Sequence, residues 1–226
     1  FFFKQKTAYE ISTRDWSSDV CSSDLPVEGE SPADAREEMR RAKRLAVLEA
    51  GARMFNRRGY DRTKLDDIAA ELKVSKRTLY YYIKNKEDIL FQCNTMAYES
   101  LQPTLAVCAD RALPPLERIR LLMRDYARVL SEDYGACLVL THENVLGHEA
   151  FAVLREIRRR LDVTLRGLVE EGIADGSIAG CEPKYASAVL FGAFNWLPYW
   201  RSAARRPSYE EVGDVFLDIL FRGLGT

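Results

Sequence analysis

The chain has 226 residues and a formal net charge of −1, with 47% hydrophobic and 30% charged residues. This composition is ordinary for a globular protein of one or two domains and excludes wholesale disorder and collagen-like repeats. Since no run approaches the roughly 18 uninterrupted apolar residues of a membrane-spanning helix, we predict no membrane segment. The five cysteines form no C-x-x-C pair, which favours free thiols in a reducing cytoplasm over disulfides or zinc.

The charge is distributed unevenly along the chain. Residues 1–34 carry a net charge of −4, residues 35–90 carry +6 and residues 91–226 carry −3. A short basic segment joined to a mildly acidic remainder predicts that one part of the chain meets a polyanion and the other does not.

Residues 1–25 show neither helical nor strand periodicity. They resemble translated sequencing-adapter read-through, and a disordered tail is the alternative. Lys4, Gln5 and Lys6 interrupt the apolar start, which argues against a signal peptide. Residues 26–32 have the composition of a linker, so we expect residues 1–32 to lie outside the fold.

From residue 33 onward the apolar spacing is helical, which predicts an all-α chain of about nine helices. The first helix is predicted over residues 33–58, ending at Gly59. Four basic residues lie near its start, where the helix dipole disfavours them: Arg40, Arg41, Lys43 and Arg44. They indicate either a phosphate contact or a solvated face.

Two short helices follow. Thr63 is predicted to cap the first, with Asp66 three residues on, and the apolar stripe of this helix is Leu65, Ile68, Ala69 and Leu72. Ser75 is predicted to cap the second, which runs to about Tyr82. Two helices joined by such a short turn are a helix-turn-helix, the arrangement that places its second helix in the DNA major groove.

The second short helix has a face suited to DNA. If Leu79 and Ile83 face inward, the other side chains face outward, namely Lys76, Arg77, Thr78, Tyr80 and Tyr81. Phenol, hydroxyl and cationic groups of this kind can contact base edges and phosphates. Tyr82 is expected to pack under the next helix. Asn85 caps that helix, and Lys86 in its first turn could hold a phosphate.

Residues 45–90 resemble the DNA-binding domain of the TetR/AcrR family of bacterial regulators. The segment is LAVLEAGARMFNRRGYDRTKLDDIAAELKVSKRTLYYYIKNKEDIL, and the positions that carry the resemblance are Phe55, Gly59, Tyr60, Thr63, Ile68, Ala69, Val74, Ser75, Thr78, Leu79, Tyr80, Lys86 and Leu90. The sequence departs from the family pattern at Lys73, where Gly is usual, and at Ile83, where Phe is common. A left-handed conformation at Lys73 would cost about 1 kcal/mol.

The resemblance implies an organisation and a DNA-binding surface. It implies a three-helix DNA-binding domain over residues 33–85 and a helical effector-binding and dimerisation domain over residues 86–226. The residues implied to contact DNA are Lys64, Ser75, Lys76, Arg77, Thr78, Tyr80, Tyr81 and Lys86.

Six further helices are predicted in the second domain. They cover residues 86–113, with a kink or end at Pro103, then 116–131, 135–145, 150–171, 185–200 and 209–224. The fourth carries arginines opposite its apolar side, which indicate a solvated face or a cationic rim for an anionic ligand: Arg155, Arg158, Arg159 and Arg166.

The resemblance also implies a homodimer and a small, largely apolar effector. The last two helices would pair with their mates through Ala188, Gly192, Val212, Phe216 and Ile219. The candidate pocket residues combine apolar walls with polar handles: Met123, Tyr126, Cys137, His142, Phe191, Asn195 and Trp196. The segment GAFNWLPYW resembles a subgroup linked to acyl-CoA metabolism.

Three functions are alternatives for this sequence. The first is a cytoplasmic repressor that binds palindromic double-stranded DNA and is released by a small molecule. The second is an enzyme, for which no G-x-S-x-G, Walker or dinucleotide motif is present. The third is a DNA-binding module without small-molecule control. No cofactor is predicted, and the spacing of six between His142 and His148 argues against a metal site.

Overall fold

The computed structural model describes residues 32–142, 145–200 and 208–223. These residues form nine α-helices and a 3₁₀ helix, without strands, which confirms the all-α prediction. The helices are α1 (Pro32–Arg58), α2 (Leu65–Leu72), α3 (Lys76–Tyr82), α4 (Lys86–Cys108), α5 (Pro115–Ser131), α6 (Asp133–Leu140), α7 (His148–Ala174), α8 (Pro183–Asn195), the 3₁₀ helix (Leu197–Trp200) and α9 (Tyr209–Arg222). The expectation for residues 1–25 lies outside the described residues.

The chain divides into two compact units, Phe1–Gln92 and Cys93–Thr226, with the division inside α4. The boundary predicted after residue 85 lies seven residues before this division and stays a prediction. Among the described residues, no helix has both the length and the apolar character that crossing a membrane requires.

The first unit is built around the buried face of α1. Ala46, Val47 and Phe55 of α1 are at most 2% exposed, and Ile68 of α2 and Leu79 of α3 are fully buried with them. A Cβ atom at Gly51 would lie 2.8 Å from Cγ2 of Ile89, so the glycine permits α1 and α4 to approach closely.

The second unit is organised around α5, which packs against α6, α7, α8 and α9. The stripe predicted to face inward on α5 is buried: Ile119, Leu122, Met123, Tyr126 and Leu130. Phe194 of α8 and Leu217 of α9 are completely buried in the same core. These central helices therefore take the amphipathic form that the spacing predicts.

The start of α2 differs from the prediction. Its N-cap is Lys64, whose backbone N–H donates to the carboxylate of Asp67 at 3.1 Å. Thr63 is instead buried, and its hydroxyl donates to the carbonyl of Gly59 at 2.9 Å. The Thr63 side chain therefore bonds to the residue that directly follows α1 and does not cap α2.

Several ends in the second unit also differ. Helix α4 continues through Pro103 but stops at Cys108, whereas the prediction ran to residue 113. Helix α6 begins at Asp133 and ends at Leu140, before the extended Thr141. Helix α8 ends at Asn195 and a 3₁₀ turn follows. Pro198 explains this last change, because it has no N–H to donate to the carbonyl of Phe194.

The turn between α2 and α3 has the conformation predicted for it. Lys73 lies in the left-handed region at φ 56° and ψ 37°, and it is the one non-glycine residue with positive φ among those described. Its backbone N–H still donates to the carbonyl of Ala70 at 3.1 Å, so the hydrogen bond survives the strained conformation.

We therefore expect Lys73→Gly to raise stability by about 0.5 to 1 kcal/mol, because glycine adopts this conformation without a Cβ clash. Such a gain corresponds to a rise of about 1 to 4 °C in the thermal midpoint, measured by circular dichroism. The matched control is Ala70→Gly in α2, which should lower the midpoint because its φ is helical. Equal destabilisation by both substitutions would contradict the account of strain at Lys73.

Candidate nucleic-acid interface and internal cavity

Helix α3 is fixed by its cap and its buried side. Ser75 Oγ accepts a hydrogen bond from the backbone N–H of Thr78 at 3.0 Å, which confirms the predicted N-cap. Leu79 is completely buried, and Ile83, at the C-cap, is 2% exposed. Burying these two side chains forces the rest of the short helix outward.

The outward face of α3 is aromatic and basic. Tyr80 is 49% exposed and Tyr81 is 66% exposed, and Lys76 and Arg77 are also exposed. Tyr82 is half-buried, and its ring meets that of Tyr81 edge to face at 5.0 Å. Exposed phenol and cationic side chains grouped on one short helix can contact base edges and phosphates, so this face is the candidate nucleic-acid interface.

Two lysines tie α3 and α4 to their surroundings. Lys76 Nζ lies 2.9 Å from a carboxylate oxygen of Asp66 in α2, and this hydrogen bond and charge raise the pKa of Lys76. Lys86 Nζ donates to the carbonyl of Tyr60 at 2.7 Å and lies 4.2 Å from the centre of its ring. Both ammonium groups are therefore held at the helix starts by neighbouring groups.

The predicted contact residues lie on three elements. Residues 76–81 are on α3, Ser75 is its cap, and Lys64 and Lys86 lie at the starts of α2 and α4. Asn85 caps α4 as predicted, since its side-chain oxygen accepts from the backbone N–H of Asp88 at 2.8 Å. One neighbour of this face has no signal in the sequence: the guanidinium carbon of Arg40 lies 5.7 Å from the centre of the Tyr81 ring.

The second unit contains a small cavity of about 20 Å³, with room for roughly one water molecule. Its wall is mostly apolar with a few polar side chains, and it is formed by Asn94, Ala97, Tyr98, Leu101, Tyr126, Val129, Leu130, Leu138, Leu154, Ile157, Arg158 and Leu161. Tyr126 is the one member of this wall among the seven predicted pocket residues.

Two of the other predicted residues lie directly behind Tyr126. Its hydroxyl donates to the side-chain oxygen of Asn195 at 2.6 Å, and its ring meets Phe191 edge to face at 5.3 Å. Burial raises the pKa of Tyr126, so the phenol stays neutral and donates a hydrogen bond. Phe191 and Asn195 thus position a wall residue without lining the cavity themselves.

The remaining four predicted pocket residues lie elsewhere. Met123 and Cys137 are close-packed in the core, and burial raises the pKa of Cys137 to about 12. His142 is exposed beyond the end of α6, and Trp196 is exposed and stacks on Tyr199 at 5.0 Å. Helical periodicity identifies inward faces, but it does not distinguish a cavity wall from a close-packed core.

The arginines of α7 have different surroundings. Arg159 and Arg160 donate hydrogen bonds to Glu156, which lower the pKa of that carboxylate to about 2. Arg166 pairs with Asp162, while Arg155 is exposed. Arg158 alone among the four predicted arginines lines the cavity. Of the arginines predicted to form a cationic rim, one therefore lies at the cavity wall.

An exposed apolar surface runs along α8 and α9. Val189 is 53% exposed and Val215 is 56% exposed, and Tyr185 and Ile219 are exposed beside them. Of the predicted dimer residues, Ala188, Gly192 and Ile219 are exposed, whereas Val212 and Phe216 are half-buried. The Phe216 ring contacts Phe194 and Trp200 within the same chain, at 5.9 and 5.6 Å.

Within the described ranges, no three or more His, Cys, Asp and Glu side chains are grouped closely enough to hold a metal ion. Glu143, next to His142, lies outside those ranges.

Comparison with known proteins identifies both units. Residues 47–93 match the bacterial regulatory proteins of the tetR family, and residues 112–224 match the tetracyclin repressor-like C-terminal domain. The fatty acid metabolism regulator protein of Bacillus subtilis (strain 168) is 24% identical over 191 residues, which cover 82% of this chain and 97% of that protein.

Solved structures agree with these matches. AibR, crystallised with isovaleryl coenzyme A and operator DNA, has a TM-score of 0.70 and 25% identity over 79% of this chain and 98% of its own. A TetR/AcrR family regulator from Thermobifida fusca YX-ER1 has a TM-score of 0.61 and 30% identity, over 81% and 99% respectively. This chain therefore belongs to the TetR family of bacterial transcriptional regulators, which are DNA-binding proteins and not enzymes.

Proposed function

We propose that this protein is a homodimeric repressor that binds a near-palindromic operator and is released from it by a small, largely apolar ligand. The observation that carries the proposal is the outward face of α3, where Tyr80 and Tyr81 stand exposed beside Arg77. Because the proposed target is chromosomal DNA, we expect the protein to act in the bacterial cytoplasm.

The chemistry of α3 suits the major groove. The Arg77 guanidinium can donate to N7 and O6 of guanine, and the Thr78 methyl group can contact a thymine methyl. Tyrosine hydroxyls can donate to base acceptors or phosphates, and Ser75, Lys64 and Lys86 are placed at helix starts where phosphates bind. The outward side chains would read the sequence, and those at the helix starts would fix the position on DNA.

Dimerisation is supported by the exposed apolar surface of α8 and α9. Isolated apolar side chains on a surface are common, but Tyr185, Val189, Val215 and Ile219 lie on two neighbouring helices. Pairing with the same surface of a second copy would bury these side chains around a twofold axis. Such a dimer presents two α3 helices, which requires two half-sites related by the same symmetry.

The ligand proposal rests on the cavity and on similarity. The cavity combines apolar walls with Arg158, a pattern that suits an acyl chain with an oxygen-rich head. AibR was crystallised with isovaleryl coenzyme A, and a second relative is named for fatty acid metabolism, so an acyl-CoA is our first candidate. Since the cavity holds about one water, the ligand must select a more open conformation, and this difference could lower DNA affinity.

The small cavity also favours one alternative, a DNA-binding regulator without small-molecule control. A core that remains closed would give no ligand-dependent change in DNA binding. The two alternatives share the interface on α3 and differ only in the response of the second unit.

The DNA-binding role predicts that Thr78→Ala combined with Tyr80→Ala abolishes sequence-specific binding. Both side chains lie outside the core, so the folded state should survive. The unsubstituted protein and the double variant are each used to select binding sites from fragmented genomic DNA at about 150 mM salt. The unsubstituted protein should enrich a near-palindromic sequence, whereas the double variant should enrich no sequence. Enrichment of the same sequence by the variant would show that α3 does not read DNA.

The dimer surface predicts different results at adjacent positions of α9. Val215→Asp should give a folded monomer, because a charge on this exposed valine blocks only the interface. Phe216→Asp should lower the thermal midpoint, because its ring packs on Phe194 and Trp200 within the chain. Mass is measured by light scattering and folding by circular dichroism.

Val107→Asp is the control for the dimer experiment, since Val107 is exposed on α4 and belongs to neither helix of the proposed interface. It should remain a dimer. A Val215→Asp protein of unchanged mass would refute the assignment of this surface.

The ligand role predicts that Arg158→Met lowers the sensitivity to acyl-CoA. Methionine keeps much of the apolar stem and removes the cation, so at least about tenfold more ligand should be needed for release. The measurement is fluorescence anisotropy of labelled operator, titrated with acetyl-, isovaleryl- and octanoyl-CoA. If Arg158→Met leaves release from DNA by acyl-CoA unaltered, Arg158 is excluded from the ligand site. If no acyl-CoA releases the unsubstituted protein from DNA, the alternative function is favoured.

A further inference from the structure

The N-terminal part of α1 extends beyond the core of the first unit. The buried α1 residues with apolar side chains lie between Ala46 and Phe55, whereas residues 34–41 are all exposed. A helical segment with so little packing gains little stability from the rest of the protein. The exposure of this segment therefore points to a role other than stabilising the core.

This segment and the residues just after it carry exposed cations, which we name the α1 basic strip: Arg40, Arg41 and Arg44. At 100° per residue, the three side chains lie within about 100° of one another around the helix. Since α1 begins at Pro32, Arg40 is more than two turns inside the helix. The dipole cost that the sequence suggested is therefore absent, because that effect is confined to the first turn.

The strip is connected to the DNA-binding face. The guanidinium carbon of Arg40 lies 5.7 Å from the centre of the Tyr81 ring, on the outward side of α3. A cation over an aromatic face is attracted by it and is held in place. Arg40 is thus positioned beside a side chain that the proposed function places at the major groove.

The other end of the strip is anchored to the start of α4. Arg44 Nε donates to the side-chain oxygen of Gln92 at 2.7 Å, and the Gln92 amide donates to Asp88 at 2.7 Å. The second oxygen of Asp88 accepts from the backbone N–H of Lys84 at 2.8 Å, in the turn between α3 and α4. This chain of hydrogen bonds fixes α1 relative to the helix start that carries Lys86.

One acidic residue opposes the charge of the strip. Glu37 lies 3.6 Å from Arg40 and 3.5 Å from Arg41, in pairs along the same exposed helix. Pairs of this kind contribute little to stability, so a phosphate can compete with Glu37 for the guanidinium groups. Glu37 would then act as a competitor that lowers DNA affinity.

We propose that Arg40 and Arg41 bind backbone phosphates beside the groove that α3 reads, so that the DNA-binding surface extends onto α1. This inference rests on the proposed function, because it assumes that α3 faces DNA. Phosphate contacts add affinity without sequence preference, so the strip would strengthen binding to any duplex. Arg40 also acts as a positioning residue for Tyr81.

The test uses two neutral substitutions that break the same ion pair. Arg40→Gln should weaken binding by roughly 3- to 10-fold, on both the selected operator and an unrelated duplex, and should reduce the salt slope by about 0.9 for one lost phosphate contact. Glu37→Gln should tighten binding to both duplexes. If the Glu37–Arg40 pair had a purely structural role, both substitutions would change DNA affinity in the same direction. Phosphate binding by Arg40 instead predicts that the two substitutions change DNA affinity in opposite directions.

Arg111→Gln is the matched control, since it removes an exposed arginine from the other unit and should leave DNA affinity unchanged. Affinities are measured by fluorescence anisotropy over a salt series, with helix content checked by circular dichroism. The inference is overturned if Arg40→Gln binds like Arg111→Gln, if it loses affinity only for the operator, or if Glu37→Gln fails to bind more tightly. If the unsubstituted protein prefers no DNA sequence, the proposed function itself fails. That outcome can be told apart from the three results above, which concern the α1 basic strip.

Discussion

Burial of Leu79 is the constraint on which the DNA-binding surface depends. A helix of seven residues is too short to be stable alone, so α3 forms because Leu79, with Ile83 just after the helix, is buried in the core built on α1 and Ile68. Once those two side chains point inward, the geometry of a helix directs Arg77, Tyr80 and Tyr81 outward. The core of the first unit therefore sets the orientation of the residues proposed to read DNA.

The same separation between an inner and an outer face organises the second unit. On α8 and α9, Phe194 and Leu217 are completely buried, whereas Val189 and Val215 on the opposite sides are exposed. Each helix can thus contribute to the protein core and to a dimer at the same time. Helix α5 lies against both, and through Tyr126 it connects α8 to the cavity wall. A ligand that moved Tyr126 would act on a helix of the proposed dimer interface.

Much of the fold follows from the sequence, because amphipathic spacing and caps are local signals. The spacing on α5, the cap at Ser75 and the strained turn at Lys73 could all be predicted from nearby residues. The end of α8 could not be placed from apolar spacing, since that spacing continues past Asn195. There Pro198 determines the end through its missing backbone donor.

Contacts between distant residues were beyond sequence reasoning. The spacing predicts Thr63 as a cap of α2, but its hydroxyl bonds to the carbonyl of Gly59, just after α1. Arg40 and Tyr81 are far apart in the chain, so their contact has no periodic signal. The residues that line the cavity could not be selected from the sequence for a related reason: Met123 and Tyr126 both face inward on α5, and only the packing of neighbouring helices decides which one meets an open space.

The central claim is that two symmetric copies of α3 read one operator, and hydroxyl-radical footprinting of the selected site tests it most directly. At about 150 mM salt, we expect two protected regions related by a twofold axis. Their centres should lie about one helical turn of DNA, roughly 10 base pairs, apart or slightly further. Both regions should become protected at the same protein concentration. A single asymmetric region, or two regions that fill independently, would contradict the account.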